Sequence, residues 1–168
     1  NETGTEKVNI IAHSKGGLEM RYMISELGMG KYTASLTTVS TPHYGLKMLD
    51  LVFKGPNALY KFLSGITNIF FKVMGDKNPN FYQACYQMTT DNCREFNSKV
   101  KNDNSVFYQS YASQMKHSLS DPKFFLTHFI IKRLEGESDG MVPVESAKWG
   151  EYKGLIDSGN NGSHSYII

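Results

Sequence analysis

Ser14 is the residue whose neighbours most plainly prepare it for chemistry. It stands in VNIIAHSKGG, Val8 to Gly17, with Ala12 two positions before it and Gly16 two after. A serine hydroxyl is a poor nucleophile until it is exposed and set against a base. A sharp turn from strand to helix exposes it, and the crowded backbone there tolerates only small residues two before and two after. The pattern A-x-S-x-G meets that demand, with Ala12 where Gly is more usual, and Gly17 lets the helix pack close to the sheet. The same turn would put Ser14 at a helix N-terminus, where the Lys15 backbone N–H faces a developing oxyanion. The chemistry this prepares is acyl transfer through a serine.

A serine nucleophile needs a base and an acid to orient it, and on this kind of turn the chain order is nucleophile, acid, base. Asp139, in the loop EGESDG, and His164, in the loop GNNGSHS, follow Ser14 in that order. His164 would take the proton from Ser14 and return it to the leaving group, while Asp139 would hold the imidazole's tautomer and balance its charge. An Asp-Gly pair is commonly only a turn, and a loop histidine commonly only solvated. The rivals fit less well. His13 adjoins the nucleophile and points elsewhere, His43 precedes the acid, His117 falls in an insertion, and His128 lies in an expected strand. Asp157, close to His164, and Glu135 and Glu137, beside Asp139, are the competing acids. A place directly after a strand favours Asp139.

The elements that must position these residues read as an α/β arrangement. Val8 to Ala12 is a β-branched apolar run of buried-strand type, and Leu18, Tyr22, Met23 and Leu27 then recur at helical spacing until Gly28 and Gly30. A second strand is expected over Ser35 to Val39, ending in the Pro- and Gly-containing loop STPHYG. A third is expected over Phe125 to Leu134, leading into the acid loop. Ligands of open α/β sheets gather outside the carboxyl ends of strands, where the candidates fall. The stretch 46–123 is too long for a simple connection. Its spacings, Leu49, Val52 and Phe53, then Leu59, Phe62 and Leu63, then Ile66, Ile69 and Phe70, predict short amphipathic helices. The division is therefore core over 1–45, helical insertion over 46–123 and core again over 124–168. The insertion is a structural cap or a lid with an apolar face for acyl chains.

Composition narrows the partners. The chain has 168 residues, 40% hydrophobic, enough for one domain with a real core. Its net charge of +2 comes from scattered residues with no basic block, which argues against nucleic acid. The longest apolar stretches fall far short of the roughly 20 residues of a membrane helix. Cys85 and Cys93 are read either as one local disulfide or as two buried thiols. The polar start NETGTEK has neither an initiator Met nor a signal-peptide pattern and reads as an interior cut.

Four segments in order, VNIIAHSKGG, VSTPHYG, QMTTDNCREFN and ESDGMVP, resemble the bacterial triacylglycerol lipases of the α/β-hydrolase fold. The resemblance covers nearly the whole chain, most loosely over 54–82. It implies a mostly parallel sheet flanked by helices with a helical lid. It also implies hydrolysis of lipid esters through an acyl-enzyme on Ser14, with Asp139 as acid, His164 as base and Lys15 N–H as one oxyanion donor. Secretion and peripheral contact with a lipid interface follow from the same likeness. No cofactor is implied. No metal is carried over either, because Ser165 and Tyr166 stand where many relatives place a calcium-binding Asp. The family's second oxyanion donor comes from a His-Gly loop after an earlier strand. The chain is therefore expected to be the C-terminal part of a larger hydrolase, inactive or nearly so alone and dependent for stability on the missing segment or on self-association. The alternatives are a non-catalytic lipid- or protein-binding module, an acyltransferase, or a short-chain carboxylesterase.

Overall fold

The computed structural model describes residues 4–54, 80–156 and 161–167. Four parallel strands, β1 (Val8–His13), β2 (Thr33–Val39), β3 (Phe107–Ala112) and β4 (Glu151–Leu155), lie side by side in chain order. Helix α1 (Gly16–Glu26) links β1 to β2. Helices α2 (Lys47–Lys54), α3 (Phe81–Gln87) and α4 (Thr90–Lys99) fall between β2 and β3, and α5 (Phe125–Leu134) between β3 and β4. Among the described residues no helix is long and apolar enough to cross a membrane.

The pleat explains which side the core takes, because successive strand residues face opposite ways. Ile10, Leu36 and Tyr108 are register partners across three strands, and with Ala12 and Val106 they pack on Ile24 of α1. The opposite face carries Asn9 and Ile11, Ser35 and Thr37, Phe107 and Gln109, all exposed or half-buried. A second cluster, Leu46, Leu49, Cys85, Ala112, Val142 and Ala147, lies toward the carboxyl end of the sheet. It draws α2, α3 and the acid loop together.

Two expectations are corrected. Residues Phe125 to Leu134 form helix α5, not a strand, so His128 is helical and Asp139 follows a helix and loop. The run is apolar on all sides: His128 and Ile131, three apart, are buried, while Phe125, Leu126 and Phe129 are exposed. Such a run carries no period by which strand and helix can be told apart. The third strand is instead FYQSYA, β3, inside the stretch expected to be a helical insertion. Its buried Tyr108, Ser110 and Ala112 alternate with less buried neighbours, a period of two masked by polar side chains. The helix expected around Leu49 and Phe53 is α2, whereas those around Leu59 and Ile66 lie outside the described residues. Cys85 and Cys93 are free and buried, and burial pushes both thiols up to about 12.

Candidate active site

Ser14 sits at the crest between β1 and α1 with φ of 53°, in the left-handed region that costs a non-glycine residue on the order of 1–3 kcal/mol. Its N–H donates to the Val39 carbonyl at 3.0 Å, and its own carbonyl accepts from Gly17 N–H at 3.1 Å, so both neighbouring elements hold the strained turn. Lys15 follows with helical dihedrals as the cap of α1. Its amide is among those that helix geometry leaves without an intrahelical acceptor. The tightness behind the turn requires Gly17. A Cβ there would stand 2.1 Å from Thr41 Oγ1.

Asp139 and His164 meet Ser14. The Ser14 Oγ and His164 Nε2 are 2.9 Å apart, and His164 Nδ1 and Asp139 Oδ2 are 2.7 Å apart. Asp139 is fully buried, and its other oxygen accepts from the backbone N–H groups of Met141 at 3.0 Å and Val142 at 2.7 Å. This is the local turn that an aspartate makes with the backbone two and three residues on. Gly140 completes it with φ of 94°, where a side chain would collide with Phe124 and Met115. The His164 N–H donates to the Asp139 carbonyl at 2.8 Å, so the loops that carry these two residues are joined through backbone as well as side chains.

The rivals are placed otherwise. His13 does not point away from the site: its ring centroid lies 4.4 Å from that of His164. Burial, with the adjoining His164 adding to it, lowers His13 to about 4. His43 is buried and engaged elsewhere, its Nδ1 3.2 Å from Arg21 Nη1 and its Nε2 3.0 Å from Thr38 Oγ1. A guanidinium can only donate, so Nδ1 accepts and the ring proton is on Nε2. His128 pairs with Ser118 at 2.7 Å. Backbone N–H groups of Lys47 and Met48 bond the Glu135 carboxyl, Glu137 is ion-paired with Lys132, and Asp157 lies outside the described residues.

Sequence reasoning missed two groups around the site. One is Arg21, buried without a carboxylate partner among the described residues. It lies 3.5 Å over the Trp149 ring and donates to Asn97 Oδ1 at 2.9 Å and to His43. This knits α1, α4 and the STPHYG loop together. Its place three residues after Leu18 on the apolar face of α1 is a faint signal at best. The other is Asp121, whose carboxylate meets the serines on either side of His164. A groove of roughly 500 Å³ opens beside the turn, with Leu18, Tyr22 and Phe96 as its apolar walls and Lys15, Glu19, Gln87, Asn92, Glu95 and Lys99 around them. Among the described residues no group of three or more His, Cys, Asp or Glu side chains could hold a metal ion.

No protein-family model matches the chain. It is 35% identical to triacylglycerol lipase 2 of Saccharomyces cerevisiae over 159 residues, which are 89% of this chain and 43% of that one. A triacylglycerol lipase of Pseudarthrobacter phenanthrenivorans is 46% identical over 50 residues, 30% of this chain and 15% of the relative. The chain thus spans less than half the length of these curated relatives. The mature lipase BlEst2 of Bacillus licheniformis superposes with a TM-score of 0.69 at 20% identity, over 97% of this chain and 62% of that one. The chain is related in sequence to triacylglycerol lipases, and its fold is that of the α/β-hydrolase lipases and esterases.

Proposed function

We propose that this relative of the triacylglycerol lipases carries the reacting residues of a carboxylic ester hydrolase, with Ser14 as nucleophile, His164 as base and Asp139 as acid. The observation that carries the reading is the continuous chain of hydrogen bonds from Ser14 Oγ through both nitrogens of His164 to Asp139. Ser14 Oγ attacks the ester carbonyl as His164 Nε2 takes its proton. The oxyanion of the tetrahedral intermediate accepts from the Lys15 N–H. The imidazolium, steadied by Asp139, then protonates the departing alcohol and leaves an acyl group on Ser14. Water, deprotonated by the same His164, releases the acid and restores the serine. The 2.7 Å contact to Asp139 holds the ring proton on Nδ1, which keeps Nε2 free to accept.

Acyl glycerols are the substrate class that the relatives' names suggest. The groove beside Lys15 offers Leu18, Tyr22 and Phe96 as an apolar strip for an acyl chain, bordered by the charged Glu19, Glu95 and Lys99. The helices between β2 and β3 are the candidate lid. In the full protein, Ser14→Ala should lower kcat on p-nitrophenyl esters by three orders of magnitude or more, roughly, with the substrate still bound. Retained turnover in that variant overturns the reading. A preference for short acyl chains in the unaltered protein would keep the nucleophile but replace lipase by esterase.

A further inference from the structure

We infer that Asp121 is a positioning residue for His164, holding the backbone beside the base chiefly through Ser163; the inference rests on the assignment of His164 proposed above. Asp121 begins the segment that leads into α5, where its Oδ1 accepts from the Lys123 N–H at 3.1 Å and starts the turn Pro122–Phe124. That turn uses one oxygen. The other, Oδ2, accepts from Ser163 Oγ at 2.8 Å and, more distantly, from Ser165 Oγ at 3.4 Å. These serines are the neighbours of His164 before and after. Asp121 and Ser163 are buried whereas Ser165 is exposed, so the short Ser163 contact is the shielded one and the longer Ser165 contact only supplements it. These hydrogen bonds, that of Ser163 foremost, hold the Asp121 carboxyl below its ordinary value, so it is a charged acceptor at neutral pH. Bonds to an ionised acceptor are roughly twice as strong as neutral ones.

The geometry that needs such support is demanding. His164 must keep Nε2 on Ser14 and Nδ1 on Asp139 at once, and both torsions of its side chain pivot on the backbone between Ser163 and Ser165. Ser113 Oγ bonds the Gly162 carbonyl at 2.9 Å just upstream, so segment 113–121 grips the base loop at two points. A displacement of about 1 Å at a reacting group can cost on the order of 100-fold in rate.

The test uses the full protein with Asp121→Ala, Asp121→Asn and Ser163→Ala. It reads kcat and KM on a soluble p-nitrophenyl ester and the rate at which a fluorophosphonate labels Ser14. Asp121→Ala should lower kcat and the labelling rate by about 10- to 100-fold with KM within about twofold. Asp121→Asn keeps a carbonyl oxygen for Ser163 and should recover most of that loss. Ser163→Ala should slow both rates, and added to Asp121→Ala it should cost nothing further. Wild-type kcat and labelling in Asp121→Ala overturn the inference, and so does an equal loss in the Asn and Ala variants. Should Asp121→Ala not fold, unchanged rates in Ser163→Ala overturn it instead. An unlabelled wild-type protein removes the assignment of Ser14 and the inference with it. That result is distinct from a labelled wild type whose Asp121→Ala variant labels equally fast.

Discussion

His13 and His43 are where single residues impose a cost the molecule must meet. Both rings are held neutral by burial, His13 at about 4 and His43 well below its ordinary 6.5, with His164 and Arg21 respectively adding to the effect. In the unfolded chain both titrate near 6.5. Between that pH and about 4 the unfolded chain therefore binds more protons than the folded one, and stability must be lost as pH falls. Urea midpoints measured across this window should decline with acid, and His13→Asn should flatten the slope. A midpoint that stays level from pH 6.5 to 4 would contradict the burial of these rings. Arg21 poses the converse case. Burial lowers its guanidinium to about 10, so it remains charged, and its bonds to Asn97 and His43 take the place of a carboxylate. Arg21→Lys loses the planar fork and the stacking on Trp149, and unfolding in urea should show a loss of about 2–3 kcal/mol.

Among elements, the strand–turn–helix unit of β1, Ser14 and α1 depends on how closely α1 approaches the STPHYG loop. Thr41, buried at the end of β2, occupies the space a side chain on Gly17 would need. Gly17→Ala should cost about 1–3 kcal/mol in urea unfolding, through overpacking rather than lost helix propensity. Thr41→Ala in the same chain removes the two nearest atoms and should restore part of that stability. A Gly17→Ala variant as stable as the parent would show that the turn yields more easily than the contact implies. The strain is shared along the sheet: Ser14 and Ser40, at the carboxyl ends of adjacent strands, both have positive φ, 53° and 46°. Ser40 is held there by its N–H bond to the Tyr111 carbonyl at 3.0 Å.

For the molecule as a whole, the consequence lies at β1. Among the described residues β1 pairs only with β2, and Ile11 is 78% exposed, with Val8 also open to solvent. An apolar strand with unpaired backbone on one side is a template for another chain. The 168 residues expressed by themselves should self-associate in a concentration-dependent way, seen by light scattering on a sizing column. Ile11→Lys, which places a charge on that strand, should shift them toward monomer. A monodisperse monomer for the parent chain would mean that β1 is protected in some other manner.

The three residues proposed to react, which the fold brings within hydrogen-bond distance of one another, stood out in the linear order because their signals are local. A serine between Ala12 and Gly16, an aspartate that folds onto its own next residues, and a histidine in a short polar loop each carry their signal within a few positions. The strand–turn–helix around Ser14 was legible for the same reason. The third strand was not, because FYQSYA acquires its meaning only when Tyr108 lies beside Leu36, and FLTHFIIKRL looks alike whether wound or extended. Nor could spacing reveal Asp121 beside Ser163 or Arg21 against Trp149 and His43. Those contacts join segments tens of residues apart, and only the packing of helices on the sheet brings them within hydrogen-bond distance.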